Sequence, residues 1–194
     1  MAKFTNNFSP VSNIIVLFLI NYSSAEYSLL DSSLCGPSDI EFIENSIIPM
    51  PIVFPNPVDW KFKANLKRQI DGPIKSNLTI VRVLSGLQLP IRCYLTNGQW
   101  VGSCVYPDLC NSIMYVTNLN KDNCPSNFVA NGIDCQCPFN IPSGIIELKD
   151  VIQTYSPAFL TNSWLLNGDY KIKIEAYDSR GFFFCLSLGF TIKS

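Results

Sequence analysis

The sequence contains no histidine among its 194 residues. Histidine is the commonest general base, and the Ser-His and Cys-His nucleophile schemes depend on it, so these catalytic arrangements are excluded. There is also no Gly-rich phosphate-binding loop. The nearest pairs of carboxylates are Glu41 with Glu44 and Asp31 with Asp39, and we interpret them as solvated surface. We therefore expect a protein that is not an enzyme.

Charge is scarce as well, since charged residues make up only 15% of the chain. The 14 basic residues nearly balance the 15 acidic ones, and no basic run has the density typical of nucleic-acid binding. No apolar run reaches the ~20 residues that a membrane-spanning helix needs. We expect neither a nucleic-acid partner nor a membrane anchor.

The N-terminus has the order of a secretory signal peptide. Lys3 is followed by an apolar run at residues 14–20 and then by the small residues Ser23-Ser24-Ala25. We predict a signal peptide at residues 1–25, cleaved after Ala25. Residues 26–194 then form one domain with a net charge of about −2, because Lys3 is removed.

Six of the eight cysteines lie within residues 93–137. Three interpretations of this block are a disulfide clamp, a zinc site and a redox centre. Zinc sites favour paired Cys knuckles or Cys with His, and only Cys135 and Cys137 are closely spaced here. No Cys-x-x-Cys redox motif occurs. An oxidising compartment favours full pairing, so we predict disulfides and no metal, although eight cysteines allow roughly a hundred connectivities.

Alternating side chains predict a β-rich fold. Strict alternation over residues 58–66 and 170–177 indicates half-buried strands. Residues 77–84 and 145–152 predict two more, although Arg82 falls on the apolar face of the first. On the last predicted strand one face carries Phe182, Phe184, Leu186, Leu188, Phe190 and Ile192.

Turn signals complete this picture. Prolines break residues 26–57 into pieces typical of edge strands. Asn97-Gly98 and Asn131-Gly132 predict tight turns, and a short helix is predicted only at residues 107–115. Many short strands with regular turns predict a single all-β sandwich. The sequon Asn77-Leu78-Thr79 predicts N-glycosylation of Asn77.

The chain is unusually apolar, with 47% hydrophobic residues and 13 phenylalanines. A well-filled core would explain this composition. Two sheets that separate around an apolar cavity would explain it equally well, and composition does not decide between them.

Several motifs resemble the ganglioside activators of the ML (lipid-recognition) family. The most specific is Cys135-Gln136-Cys137-Pro138-Phe139, and all eight cysteines have counterparts in order. The resemblance extends to Pro49-Met50-Pro51-Ile52-Val53-Phe54-Pro55, to Pro90-Ile91-Arg92-Cys93 and to Gly168-Asp169-Tyr170-Lys171-Ile172. It covers essentially all of residues 27–193.

The resemblance implies an immunoglobulin-like β-sandwich opened into a β-cup around an apolar lipid cavity. It also implies four disulfides, which are Cys35–Cys185, Cys93–Cys104, Cys110–Cys137 and Cys124–Cys135. The implied function is non-enzymatic, with a bound lipid as ligand and no cofactor. Such a protein extracts a ganglioside-like glycolipid from a membrane and presents it to a lysosomal glycosidase, β-hexosaminidase.

Exposed apolar loops are expected around the mouth of this cavity, where they touch the membrane. The candidates are Leu87, Leu89, Trp100, Trp164, Leu165 and Leu166. Two positions depart from the family. The Cys93–Cys104 loop is longer here and carries Trp100 in the added part, and Gln88 stands where the family has an aromatic residue.

Two other functions remain open at this stage. One is a secreted carrier of a glycosphingolipid or phospholipid, or an immune lipid sensor, without a hydrolase partner. The other is an immunoglobulin-like adhesion module with a filled core. We expect the protein to be secreted or to lie in the lysosomal lumen.

Overall fold

The computed structural model describes residues 27–96, 98–117, 120–152 and 167–193. Its regular structure is mostly β, which confirms the predicted fold class. Within these residues no helix is both long and apolar enough to cross a membrane. The elements are β1 (Asp31–Leu34), β2 (Ile40–Ile48), β3 (Ile52–Val53), β4 (Val58–Leu66), β5 (Ile70–Asp71), β6 (Lys75–Leu84), β7 (Leu87–Ile91), β8 (Tyr94–Thr96), β9 (Gln99–Val101), β10 (Val105–Tyr106), α1 (Leu109–Thr117), α2 (Ser126–Ala130), β11 (Asn140–Ile141), β12 (Gly144–Ile152), β13 (Gly168–Asp178) and β14 (Gly181–Lys193).

The strands form a large and a small sheet, with two short ribbons beside them. The large sheet has seven strands in the order β1-β14-β13-β6-β10, with β3 also paired to β14 and β7 to β6. The small sheet has the order β12-β4-β2. The proline-rich N-terminal part supplies β1 and β2, which lie at sheet edges as predicted.

The two sheets pack face to face at one end. Ala64 and Leu66 of β4 form one buried cluster with Ala176 of β13 and Phe183 of β14. We call this the closed end of the sandwich. The opposite end, which contains Val58 and the start of β13, is called the open end.

The side of β14 predicted for Phe182, at the closed end, is wrong. The pairing of β13 with β14 shifts after Ala176, so that Tyr177 lies opposite Phe182 and Ala176 lies opposite Phe184. This β-bulge turns Phe183 into the core, where it is 2% exposed, and leaves Phe182 exposed against the ring of Tyr177. Strict alternation from Phe182 could not anticipate the extra residue.

Four disulfides staple the fold, in the pairs that the resemblance implies: Cys35–Cys185, Cys93–Cys104, Cys110–Cys137 and Cys124–Cys135. Cys35–Cys185 joins the segment after β1 to β14 across 150 residues of sequence. Cys110–Cys137 fastens α1 to the segment before β11. The pairing leaves no free thiol among the described residues.

Ion pairs hold the loops of the closed end together. Arg68, which follows β4, binds Asp178 at the end of β13 and also binds Asp39 before β2 at 2.6 Å. Arg180 adds a contact of 3.6 Å to Asp178. The side chain of Asp178 has no exposed surface, so its charge is compensated inside the protein.

Candidate functional site

Cross-strand pairing arranges the inward side chains of β6, β13 and β14 in four layers. Successive layers lie ~7 Å apart, because each step covers two residues of ~3.4 Å. From the closed end the layers are Ser76–Ala176–Phe184, Leu78–Ile174–Leu186, Ile80–Ile172–Leu188 and Arg82–Tyr170–Phe190.

Burial decreases along these layers on β6 and β13. In the first layer Ser76 and Ala176 have no exposed surface, while Phe184 is half-buried. In the second layer Leu78 and Ile174 are only half-buried, while Leu186 is 8% exposed, and all three side chains of the third layer are half-buried. Inward side chains on the central strand of a closed sandwich should be the most buried ones. The two sheets therefore do not close on each other at the second and third layers, which we call the apolar band.

Burial changes in a similar way along the central strand of the small sheet. On β4, Ala64 has no exposed surface, Phe62 and Trp60 are half-buried, and Val58 is buried again. The rings of Trp60 and Phe62 stack with their centroids 5.9 Å apart, and Phe42 of β2 meets Phe62 edge-on at 5.6 Å. These three rings form an aromatic wall on the inner side of the small sheet, and they also pack against the buried cluster of the closed end.

Polar atoms border the band toward the open end. Arg82 and Tyr170 are cross-strand neighbours in the fourth layer and are 8% and 7% exposed. Nε of Arg82 donates to the carbonyl oxygen of Asn167 at 3.1 Å, and Nη2 donates to the same oxygen. Burial raises the pKa of Tyr170, and the positive charge of Arg82 partly opposes this effect. Arg82 and Tyr170 thus form a buried polar layer between the band and the open end.

The strand β12 ends at the open end, where Ile152 pairs with Val58, and β13 begins there at Gly168. Trp164, Leu165 and Leu166 lie outside the described residues, so their assignment to the cavity mouth stays a prediction.

Leu87 and Leu89 lie on the hairpin that β6 and β7 form at the open end. The turn is tight, with positive φ at Ser85 and Gly86, and it places Leu84 opposite Leu87. Leu87 is 66% exposed and Leu89 is 43% exposed. This tip is an apolar surface on an otherwise ordinary hairpin, which is the arrangement expected of a membrane-touching loop.

Trp100 belongs to a different hairpin, formed by β8 and β9. Trp100 lies opposite Leu95, and both are more than half exposed. The strands β7 and β10 lie along the same edge of the sheet, since β7 pairs with the end of β6 and β10 pairs with its start. The hairpin lies between them in the sequence and so interrupts this edge strand. The Cys93–Cys104 disulfide closes the base of the interruption. The added residues of this loop thus form a hairpin that projects from the sheet edge between Cys93 and Cys104, and we call this hairpin the excursion.

The two exposed patches therefore share an edge of the large sheet without coinciding. The excursion leaves the edge beside Ile80, four residues of β6 away from the Leu84 turn position. At ~3.4 Å per residue that separation is ~14 Å along the strand. Leu87 and Leu89 are brought together on one hairpin, and Trp100 stands apart with Leu95.

Charged side chains concentrate on the outward faces instead. On the small sheet, hydrogen bonds and charges from Lys149 and Lys63 lower the pKa of Glu147 to about 2. On the large sheet, Lys173 lowers the pKa of Glu175. A hollow of ≈ 320 Å³ at the end of β4 and β12 is lined by Asp59, Trp60, Lys61, Lys149, Asp150 and Val151. Four of these six residues are charged, so this hollow differs in character from the apolar band.

The carboxylates considered for catalysis do not assemble into a site. Asp39 is bound to Arg68, and Glu41 and Glu44 lie exposed on β2. Within the described residues there is no group of three or more His, Cys, Asp or Glu side chains that could hold a metal ion.

Sequence reasoning named candidate residues on loops and did not name the side chains that line the band. The alternation over residues 170–177 placed Ile172 and Ile174 on the inward face correctly. Alternation gives a direction and not a degree of burial, so it could not distinguish the half-buried Ile174 from the fully buried Ala176.

The chain is similar in sequence to two known proteins. The chain is 25% identical over 125 residues to the Ganglioside GM2 activator of Macaca fascicularis, covering 64% of this chain and 62% of that protein. It is 30% identical over 129 residues to the Ganglioside GM2 activator of Mus musculus, covering 66% of this chain and 62% of that protein. The match thus spans less than two thirds of either relative's length. No protein-family model matches the chain.

A solved structure is also similar. The crystal structure of a Niemann-Pick type C2 protein from the Japanese carpenter ant superposes with a TM-score of 0.42 at 15% identity, covering 84% of this chain and 99% of that chain.

Proposed function

We propose that this chain, a homologue of proteins named Ganglioside GM2 activator, is a non-enzymatic lipid-binding protein that takes lipid from membranes. The observation that carries the proposal is the apolar band, where inward side chains of both sheets remain half-buried. Acyl chains laid against Ile172, Ile174 and Phe62 would leave water, which stabilises a complex by ~0.8 kcal/mol for each methylene. In an adhesion module with a filled core, these inward side chains would be fully buried.

Lipid extraction requires contact with the bilayer surface. Leu87, Leu89 and Trp100 present apolar side chains to solvent at one sheet edge. Trp is favoured at membrane interfaces because its ring is apolar and its N–H is polar. We assign these residues, together with Trp164, Leu165 and Leu166, to transient membrane contact.

The finer proposal is that the bound lipid is a ganglioside-like glycolipid presented to a lysosomal β-hexosaminidase. Its support is the name of the two curated relatives. Four disulfides fit a chain that passes through the secretory pathway to the extracellular space or the lysosome. A lipid carrier without a hydrolase partner would use the same band, so the enzyme assay described below separates the two.

Native mass spectrometry of the secreted protein after incubation with ganglioside-containing vesicles tests lipid binding. We expect a lipid-bound species for the wild type and for Lys171→Asp, which changes an outward residue. Ile172→Asp places a carboxylate in the band and should lose the lipid while keeping a cooperative unfolding transition. Ile80→Asn offers a milder change in the same layer. Equal lipid loading of all four proteins would refute the proposal.

Adding the wild-type protein to β-hexosaminidase and ganglioside tests presentation. Faster release of the terminal sugar with wild type, and not with Ile172→Asp, is expected of an activator. Lipid binding without any acceleration would identify a carrier instead.

A further inference from the structure

The apolar band ends abruptly at the first layer. Ala176 of the large sheet and Ala64 of the small sheet have no exposed surface, and Phe183 is 2% exposed. All three belong to one buried cluster that joins the sheets. Protein interiors of this kind are packed as densely as organic crystals, so this floor leaves no room for an acyl chain to pass below it.

The distance from rim to floor slightly exceeds the length of an acyl chain. Tyr170 and Ala176 are six residues apart on β13, which corresponds to ~20 Å of strand. One acyl chain in a membrane leaflet spans ~15 Å, half of the ~30 Å hydrocarbon core. With the polar part of the lipid beside Arg82 and Tyr170, a chain of this length reaches two layers of ~7 Å along β13, so its terminal methyl lies beside Ile174 and Leu78, directly above the floor.

We propose that this floor makes the site a gauge of acyl chain length, with Ile174 and Leu78 as the specificity-determining residues directly above it. The proposal rests on the lipid binding proposed above and adds which lipids are preferred. A chain that is too long leaves methylenes outside the band, in water. A chain that is too short leaves the side chains above the floor without contacts.

The expected discrimination follows from the cost of leaving one methylene in water. That cost of ~0.8 kcal/mol corresponds to about fourfold in binding for each carbon beyond the limit. Affinity should therefore rise with chain length up to a limit and then fall, rather than rising continuously as it does for partition into an oil.

Raising the floor tests the gauge. Ile174→Phe fills part of the second layer, and Ile172→Phe fills part of the third, one step of ~7 Å closer to the rim. Both positions are half-buried, so a larger side chain has space to enter the gap. Lys171→Phe introduces a phenylalanine at an exposed, outward position of the same strand and serves as the control.

Each protein is incubated with vesicles that contain equal amounts of phosphatidylcholines from dilauroyl to distearoyl, and bound lipids are identified by native mass spectrometry. We expect shorter preferred chains for Ile174→Phe, still shorter ones for Ile172→Phe, and the wild-type profile for Lys171→Phe. If Ile174→Phe does not fold, Leu78→Phe replaces it, because Leu78 lies in the same layer.

The outcomes separate the gauge from lipid binding itself. A wild type that takes up none of these lipids, nor gangliosides, refutes the lipid-binding function. Lipid uptake with one and the same length profile in wild type, Ile174→Phe and Ile172→Phe refutes the gauge alone. A shift in the opposite order, larger for Ile174→Phe, also overturns it.

Discussion

The hydroxyl oxygen of Ser103 accepts a hydrogen bond from the backbone N–H of Ile80 at 2.8 Å and donates one to the carbonyl oxygen of Ile80 at 3.3 Å. A side chain thus supplies the pairing that a neighbouring strand would otherwise provide at this point of β6. The edge strand can leave the sheet after Ile91 and return at Cys104 without leaving these backbone groups of Ile80 unpaired. The hairpin that carries Trp100 is therefore anchored at a defined place on the edge.

Gly102 is needed where this excursion returns to the sheet. Its φ is +93°, and an added Cβ would lie 2.1 Å from the carbonyl oxygen of Arg92. We expect Gly102→Ala to lower the free energy of unfolding by more than about 2 kcal/mol, through clash and backbone strain. Chemical denaturation measures this change.

Gly36→Ala is the matched control for that substitution. A Cβ on Gly36 would meet the Cβ of Cys185 at 3.6 Å, which is an ordinary contact. We expect a change within about 1 kcal/mol. Similar stabilities for the two variants would contradict the role assigned to Gly102.

Some features of the structure could be predicted from the sequence and others could not. Period-two alternation gave β4 its observed bounds, because one of its faces is buried and the other solvated. The short helix α2 was missed, because five residues after Pro125 are too few to show helical periodicity. The resemblance supplied the disulfide pairs, whereas the half-burial of Ile172 depends on how far the two sheets separate. That separation is a tertiary property that no local pattern encodes.

Arg68 should be important for the stability of the closed end. Burial by itself would raise the pKa of Asp178, but hydrogen bonds from Arg68 and from the backbone N–H of Arg180 outweigh this effect and lower it. Arg68→Gln leaves a buried carboxylate with Arg180 as its remaining cation, so we expect a loss of about 3 kcal/mol at neutral pH. The matched control is Lys173→Gln, which removes the exposed pair with Glu175 and should cost less than about 1 kcal/mol.

The pH dependence of this loss has a definite sign. The pKa of Asp178 in the folded protein lies below its unfolded value of about 3.9, so its contribution is complete above that pH and is lost as pH falls through the folded pKa. Without Arg68, burial raises the pKa of Asp178 in the folded variant above its wild-type value. The difference in unfolding free energy between wild type and Arg68→Gln should therefore be largest at neutral pH and shrink as pH falls through the interval between these two folded pKa values. A difference that grows on acidification would contradict the pairing.

Asn77 should carry its glycan on the side of β6 that faces away from the apolar band. Asn77 pairs with Glu175, whose side chain points outward, whereas the next residue, Leu78, points into the band. We expect Asn77→Gln expressed in eukaryotic cells to lose the mass of one glycan and to retain wild-type lipid loading. Thr79→Ser preserves the sequon and should keep the glycan. A glycan-free variant with strongly altered lipid loading would place Asn77 nearer the ligand than the fold allows.

Trp100 should act on membranes and contribute little to folding. Its side chain is 53% exposed and pairs across the hairpin with Leu95, which is also exposed, outside the buried cluster. We expect Trp100→Ala to leave the melting temperature nearly unchanged and to weaken binding to vesicles about tenfold, since burying a large apolar side chain contributes about 1.5 kcal/mol or more. Trp60→Ala is the contrasting variant, because Trp60 stacks on Phe62 inside the sandwich and its loss should lower the melting temperature. Vesicle co-sedimentation and thermal unfolding, measured on both variants, separate the two roles. A large loss of stability in Trp100→Ala with unchanged vesicle binding would show that the excursion supports the fold, and membrane contact would then have to be assigned to the Leu87 hairpin or to residues 153–166.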